Sequence, residues 1–106
     1  MTKTQLQNYI ERNSNIDFNY DSKRYGIENI SEPDGTEKIH FWEWNNTDNF
    51  YFKFSDFVDF ENNAKINNLS VVEILKDIDD ADIFYEELAK VKLNGKYGFV
   101  DKTGKE

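Results

Sequence analysis

The chain has 106 residues, a formal net charge of −8, 32% charged and 38% hydrophobic residues, and no cysteine. That length suits one domain able to bury a core without disulfides or metal. The composition excludes thiolate chemistry and cysteine-ligated zinc or iron–sulfur sites, and the acidic balance works against direct contact with nucleic acid phosphates or an anionic membrane.

Two Trp, six Tyr and nine Phe separate the chain from disordered acidic sequences, which are poor in aromatics. Leu6, Tyr9 and Ile10 recur at helical spacing and predict a short amphipathic helix over 3–12, stopped at Asn13-Ser14-Asn15. Ile16, Phe18 and Tyr20 alternate with polar residues as in a strand, and Asp21-Ser22-Lys23 turns the chain into a second strand over 24–30. The loop 31–37 holds the single proline, in Pro33-Asp34-Gly35.

Segments 38–44 and 50–54 read as a hairpin joined by 45–49. Pairing Trp44 with Phe50 would gather His40, Trp42, Trp44, Phe50, Phe52 and Phe54 on a buried face, leaving Phe41, Glu43, Tyr51 and Lys53 on the other. Ser55 is placed to cap a helix over 56–65 with Phe57, Val58 and Phe60 inward. Ser70-Val71-Val72-Glu73 has the form of a capping box, starting a helix with Val71, Ile74, Leu75 and Ile78 on one face. The stretch 79–87 fits either a helical turn or an irregular link. Asn94-Gly95 then suits the two-residue turn of a C-terminal hairpin. The expected fold is a single α+β domain: an antiparallel sheet of hairpins, two or three helices packed on it, and a closing β-hairpin.

Within that last segment, Leu88-Ala89-Lys90-Val91-Lys92-Leu93-Asn94-Gly95-Lys96-Tyr97-Gly98-Phe99-Val100-Asp101 and its flanks, over 81–106, resemble one unit of the bacterial WG (KWG) repeat family. Tyr97-Gly98 occupies the aromatic-Gly slot, and Lys23-Arg24-Tyr25-Gly26-Ile27 is a fainter echo. The resemblance implies a β-rich repeat, usually found in tandem and regarded as an interaction module. A structural or adaptor fragment of a longer repeat protein is accordingly the alternative reading of function.

Charge is unevenly spread. Asp56, Asp59, Glu61, Glu73, Asp77, Asp79, Asp80, Asp82, Glu86 and Glu87 face only Lys65 and Lys76, so this segment alone carries −8. A belt of this kind attracts basic partners. Asp77, Asp79, Asp80 and Asp82 miss the glycine and the spacing of a calcium loop. One histidine, His40, leaves little room for acid–base or metal schemes. No segment has the roughly 18 apolar residues of a membrane span, and the polar N-terminus lacks a signal-peptide core; a cytoplasmic protein is expected. The residues therefore point to a non-enzymatic, cofactor-free module that binds a basic protein, such as an acidic inhibitor of a nucleic-acid-handling protein. The contact residues expected are Asp56, Asp59, Glu73, Asp77, Asp79, Asp80, Asp82, Glu86 and Glu87, with Phe41 and Tyr51 as an exposed aromatic patch.

Overall fold

A computed structural model describes residues 1–84. Its elements are α1 (Lys3–Glu11), β1 (Asn15–Tyr20), β2 (Lys23–Ser31), β3 (Glu37–Glu43), β4 (Tyr51–Phe54), α2 (Phe57–Asn63), β5 (Lys65–Ile66), β6 (Leu69–Ser70), α3 (Val71–Lys76) and β7 (Asp82–Phe84). Five strands form one antiparallel sheet in the order β4-β3-β2-β1-β7, and β5-β6 make a separate small hairpin. The fold is α+β, as composition and periodicity lead one to expect. The C-terminal hairpin at Asn94-Gly95 and the body of the WG-like unit lie outside the described residues.

Turn chemistry explains the tight connections. Asp21 and Ser22 both adopt positive φ, as do Asn67 and Asn68, giving two-residue turns whose twist matches the flanking strands. At the start of α1, Thr2 Oγ1 accepts from the Gln5 amide (3.1 Å) while Thr2 N–H donates to Gln5 Oε1 (2.9 Å). This is a capping box that the Thr2-Lys3-Thr4-Gln5 spacing encodes. The box expected at Ser70 does not form: Ser70 is engaged as a strand residue opposite Lys65 and makes no side-chain cap, and Glu73 instead accepts from Lys76 Nζ (2.8 Å). Asp56, not Ser55, caps α2 by accepting from the Asp59 amide (2.8 Å), and Ser55 N–H is itself tied to Asp59 Oδ2 (2.9 Å).

All three helices cover the same face of the sheet. Leu6 and Ile10 of α1, Phe57 and Phe60 of α2, and Val71, Val72, Ile74 and Leu75 of α3 join Ile16, Phe18, Tyr25, Ile27, Ile39, Phe41 and Phe54 in one core. Phe60 lies at its centre, ring-to-ring with Phe54 (5.4 Å), Phe41 (6.1 Å) and Phe57 (6.2 Å). Burying each such side chain is worth about 1.5–3 kcal/mol, so this face fixes which side of every strand points inward. Val58, expected inward, is 63% exposed, because α2 turns only Phe57 and Phe60 to the core.

The β3–β4 pairing differs from expectation by one residue. Ile39 pairs with Phe54, Phe41 with Phe52 and Trp42 with Tyr51. A one-residue slip exchanges the faces. Ile39, Phe41 and Phe54 are therefore in the core, whereas His40, Trp42 and Trp44 point away from the helices. Phe41, expected on an exposed patch, is fully buried. Two features of the neighbouring strands select this register. Phe41 lies opposite Ile27 in the core layer, and Trp42 lies opposite Gly26, the one position of β2 that leaves room for a flat indole. Trp and His also carry polar ring atoms that the helix-covered core has no partners for.

Candidate functional site

Strand alternation places on the helix-free side Asn15, Asp17 and Asn19 of β1, Arg24, Gly26 and Glu28 of β2, Lys38, His40 and Trp42 of β3, Tyr51 and Lys53 of β4, and Asp82 of β7. Trp44, just past β3, continues this row by donating its backbone N–H to the Arg24 carbonyl (2.8 Å). No described helix packs on this face.

Three aromatic rings form its centre. Trp42 stacks on Tyr51 (centroids 5.9 Å, 15° between planes) and meets Trp44 edge-on (5.6 Å, 78°). The indole of Trp42 lies over Gly26 so closely that a Cβ there would stand 2.5 Å from Cε2 and Cζ2. A glycine inside a strand often marks such a close approach, here by a side chain. Sandwiched in this way, Trp42 is only 7% exposed, whereas Trp44 is 43% and Tyr51 41% exposed. Phe52, at the same edge but on the opposite side of β4, is 47% exposed and packs edge-on against Phe50 (5.0 Å).

Polar groups hold the rings in place. Trp44 Nε1–H donates to Asp17 Oδ1 (3.2 Å), and Arg24 pairs with Asp17 Oδ2 (3.5 Å) and Asp82 Oδ2 (2.6 Å). Burial raises the Asp17 pKa; the Trp44 hydrogen bond and the Arg24 charge oppose that shift. On the other side of the rings, buried His40 bonds through both nitrogens, Nδ1 with the Tyr51 hydroxyl (2.5 Å) and Nε2 with Glu32 Oε2 (2.6 Å). An ionised carboxylate can only accept, so Nε2 carries a proton; a neutral ring then accepts at Nδ1 from the Tyr51 O–H. Lys53 Nζ donates to the other oxygen of Glu32 (3.1 Å). The hydrogen bond from His40, and then that from Lys53, hold the Glu32 carboxyl below the usual range. The face is thus an aromatic cluster bracketed by two ion-paired carboxylate networks. Its carboxylates Asp17, Glu28, Glu32 and Asp82 are nearly balanced by Arg24, Lys38 and Lys53.

The expected acidic belt does not form one row. Asp56 lines a hollow with Asn29, Glu37 and Ile39 at one end of the sheet. Glu73 and Asp77 line another beside Tyr20, Leu69 and Ile78 at the opposite end. Asp59 is occupied by Ser55 and Asn63, whose hydrogen bonds lower its pKa. Asp82 is paired with Arg24; Asp79 and Asp80 are exposed; Glu86 and Glu87 lie outside the described residues. Among the described residues no three metal-ligating side chains converge, and no helix is long and apolar enough to cross a membrane.

Sequence reasoning placed Trp42 and Trp44 in the core and left Asp17, Arg24 and Glu32 out of the site. The usable signal was Gly26 within an otherwise bulky strand. No family model matches the chain, and no curated protein or solved structure matches it.

Proposed function

We propose that the protein is a binding module without bond-making chemistry of its own, and that its partner is a basic protein. In its specific form it is a cytoplasmic, acidic inhibitor of a nucleic-acid-handling protein, of anti-defence or immunity type. The observation that carries this reading is the helix-free sheet face, where Trp44 and Tyr51 stand more than two-fifths exposed on a chain of net charge −8. Exposed tryptophan and tyrosine held rigidly by their neighbours are the side chains that anchor interfaces, and truncating such an anchor typically costs about 2 kcal/mol or more.

Charge and anchor have separate roles. The sheet face is close to neutral, so the excess negative charge belongs to the helical side, the sheet ends and the loops, including Asp56, Glu73, Asp77, Asp79 and Asp80. A field of that kind accelerates encounter with a basic surface and rejects acidic ones, while the aromatic face supplies the short-range contact. Affinity capture with the purified chain tests this. A partner should be retained at about 50 mM salt and released at about 500 mM, where the Debye length falls to a few ångströms. Reversing the exposed Asp79 and Asp80 to lysine should slow its association. Capture unaffected by both salt and reversal would remove the electrostatic half of the reading, and substrate turnover by the purified chain would remove the whole.

A further inference from the structure

We infer that the free edge of β4 pairs with the same edge of a second copy, giving a two-fold dimer in which the five described strands of each copy join in one continuous sheet. The ladder geometry points to this. Glu43 N–H donates to the Phe50 carbonyl (3.2 Å), and hydrogen-bonded pairs recur at every second residue, so Phe50, Phe52 and Phe54 direct their backbone groups toward β3. Tyr51 and Lys53 therefore direct theirs outward, and among the described residues these groups have no partner. The next outward N–H, that of Ser55, is closed off by Asp59 Oδ2 (2.9 Å). The open edge thus has a defined length of three residues.

Those three residues are self-complementary in one register. With the two-fold axis through Phe52, Tyr51 of each copy faces Lys53 of the other in a hydrogen-bonded pair, and all four outward N–H and C=O groups of each copy are satisfied. Phe52 then meets its own symmetry mate, burying a ring that is 47% exposed in the single chain. On the opposite side of the sheet each Lys53 stem lies along the other copy's Tyr51 ring and covers its apolar surface. Shifting the axis to Lys53 would oppose two lysines and is disfavoured. An edge lysine ordinarily guards against such pairing, but Glu32 holds Lys53 Nζ at 3.1 Å and neutralises it. Strand β4 also contains no proline and no bulge.

Three paired residues make a small interface, so the dimer is weak and concentration-dependent. Two chains of −8 repel, and salt that screens them should strengthen the dimer, the reverse of its effect on a basic partner. Sedimentation equilibrium of the full chain, from about 10 μM to about 1 mM and at low and high salt, reads this directly. The expected result is a monomer–dimer equilibrium shifted toward dimer by salt. Phe52→Glu and Phe52→Lys should each be monomeric, and a one-to-one mixture of the two should recover the dimer, because only a two-fold through residue 52 opposes them. Circular dichroism of each variant controls for folding. A wild-type chain that stays monomeric at the highest concentration, or a dimer indifferent to both substitutions, would overturn the inference.

Discussion

Replacing Gly26 by alanine discriminates sharply between this sheet register and any other. In a strand interior the added methyl would ordinarily be stabilising by about 0.5–1 kcal/mol, because glycine loses more backbone freedom on folding. Here the new Cβ would stand 2.5 Å from two carbons of the Trp42 indole and 2.9 Å from its nitrogen. The ring is confined by Tyr51 and Trp44, so it has no free direction to move, and overpacking of this kind costs about 1–3 kcal/mol. The expected net effect is a loss of roughly 1–2 kcal/mol, or about 4–16 °C in Tm for a domain of this size. Urea unfolding followed by far-ultraviolet circular dichroism measures it without relying on the tryptophans. The double-mutant cycle with Trp42→Val completes the argument: once the indole is gone, Gly26→Ala should become neutral or stabilising, a coupling of about 2 kcal/mol. Equal stabilisation by Gly26→Ala in both backgrounds would refute the placement of Trp42 over Gly26, and with it the orientation of the aromatic face.

Other consequences are open to simple measurement. Ser14 is fully buried and its hydroxyl has no hydrogen-bond partner among the described residues, so Ser14→Ala should hold or raise stability by up to about 1 kcal/mol; a clear loss would show the hydroxyl to be bonded. Glu32 has a lowered pKa in the folded state, so it contributes stability above the ordinary glutamate range, near about pH 4.3, and loses it as pH falls through the folded value. The stability gap between wild type and Glu32→Gln should accordingly be widest near neutrality and close in acid; a gap independent of pH would contradict the His40–Glu32–Lys53 network. Acrylamide should quench Trp44 in a Trp42→Phe variant far more than Trp42 in a Trp44→Phe variant, in keeping with exposures of 43% and 7%. Equal shielding would mean that the sheet face is covered.

Much of the fold was legible because local signals and burial agree. Leu6 and Ile10 announce α1, the Ile16–Phe18–Tyr20 alternation announces β1, and the Asp21-Ser22 turn ties it to β2. The β3–β4 register was not legible from the hairpin alone, since Phe52 and Phe54 make an equally apolar set with Trp42 and Trp44 as with Ile39 and Phe41. The choice between them is made by a third strand, through Gly26, and by the polar partners that Asp17 and Glu32 offer to the ring nitrogens. The same non-local dependence hid the candidate site, whose residues come from five strands spread over 15–84. The acidic segment was visible, but its division between opposite ends of the sheet follows from where β4, α2 and α3 lie.

Binding by the aromatic face is tested most directly by the dissociation constant of a captured basic partner for wild type and for Trp44→Ala, with unfolding curves of both proteins as control. The expected result is at least a ~30-fold loss of affinity, the counterpart of an anchor worth about 2 kcal/mol, with stability little changed. An unchanged dissociation constant would contradict it.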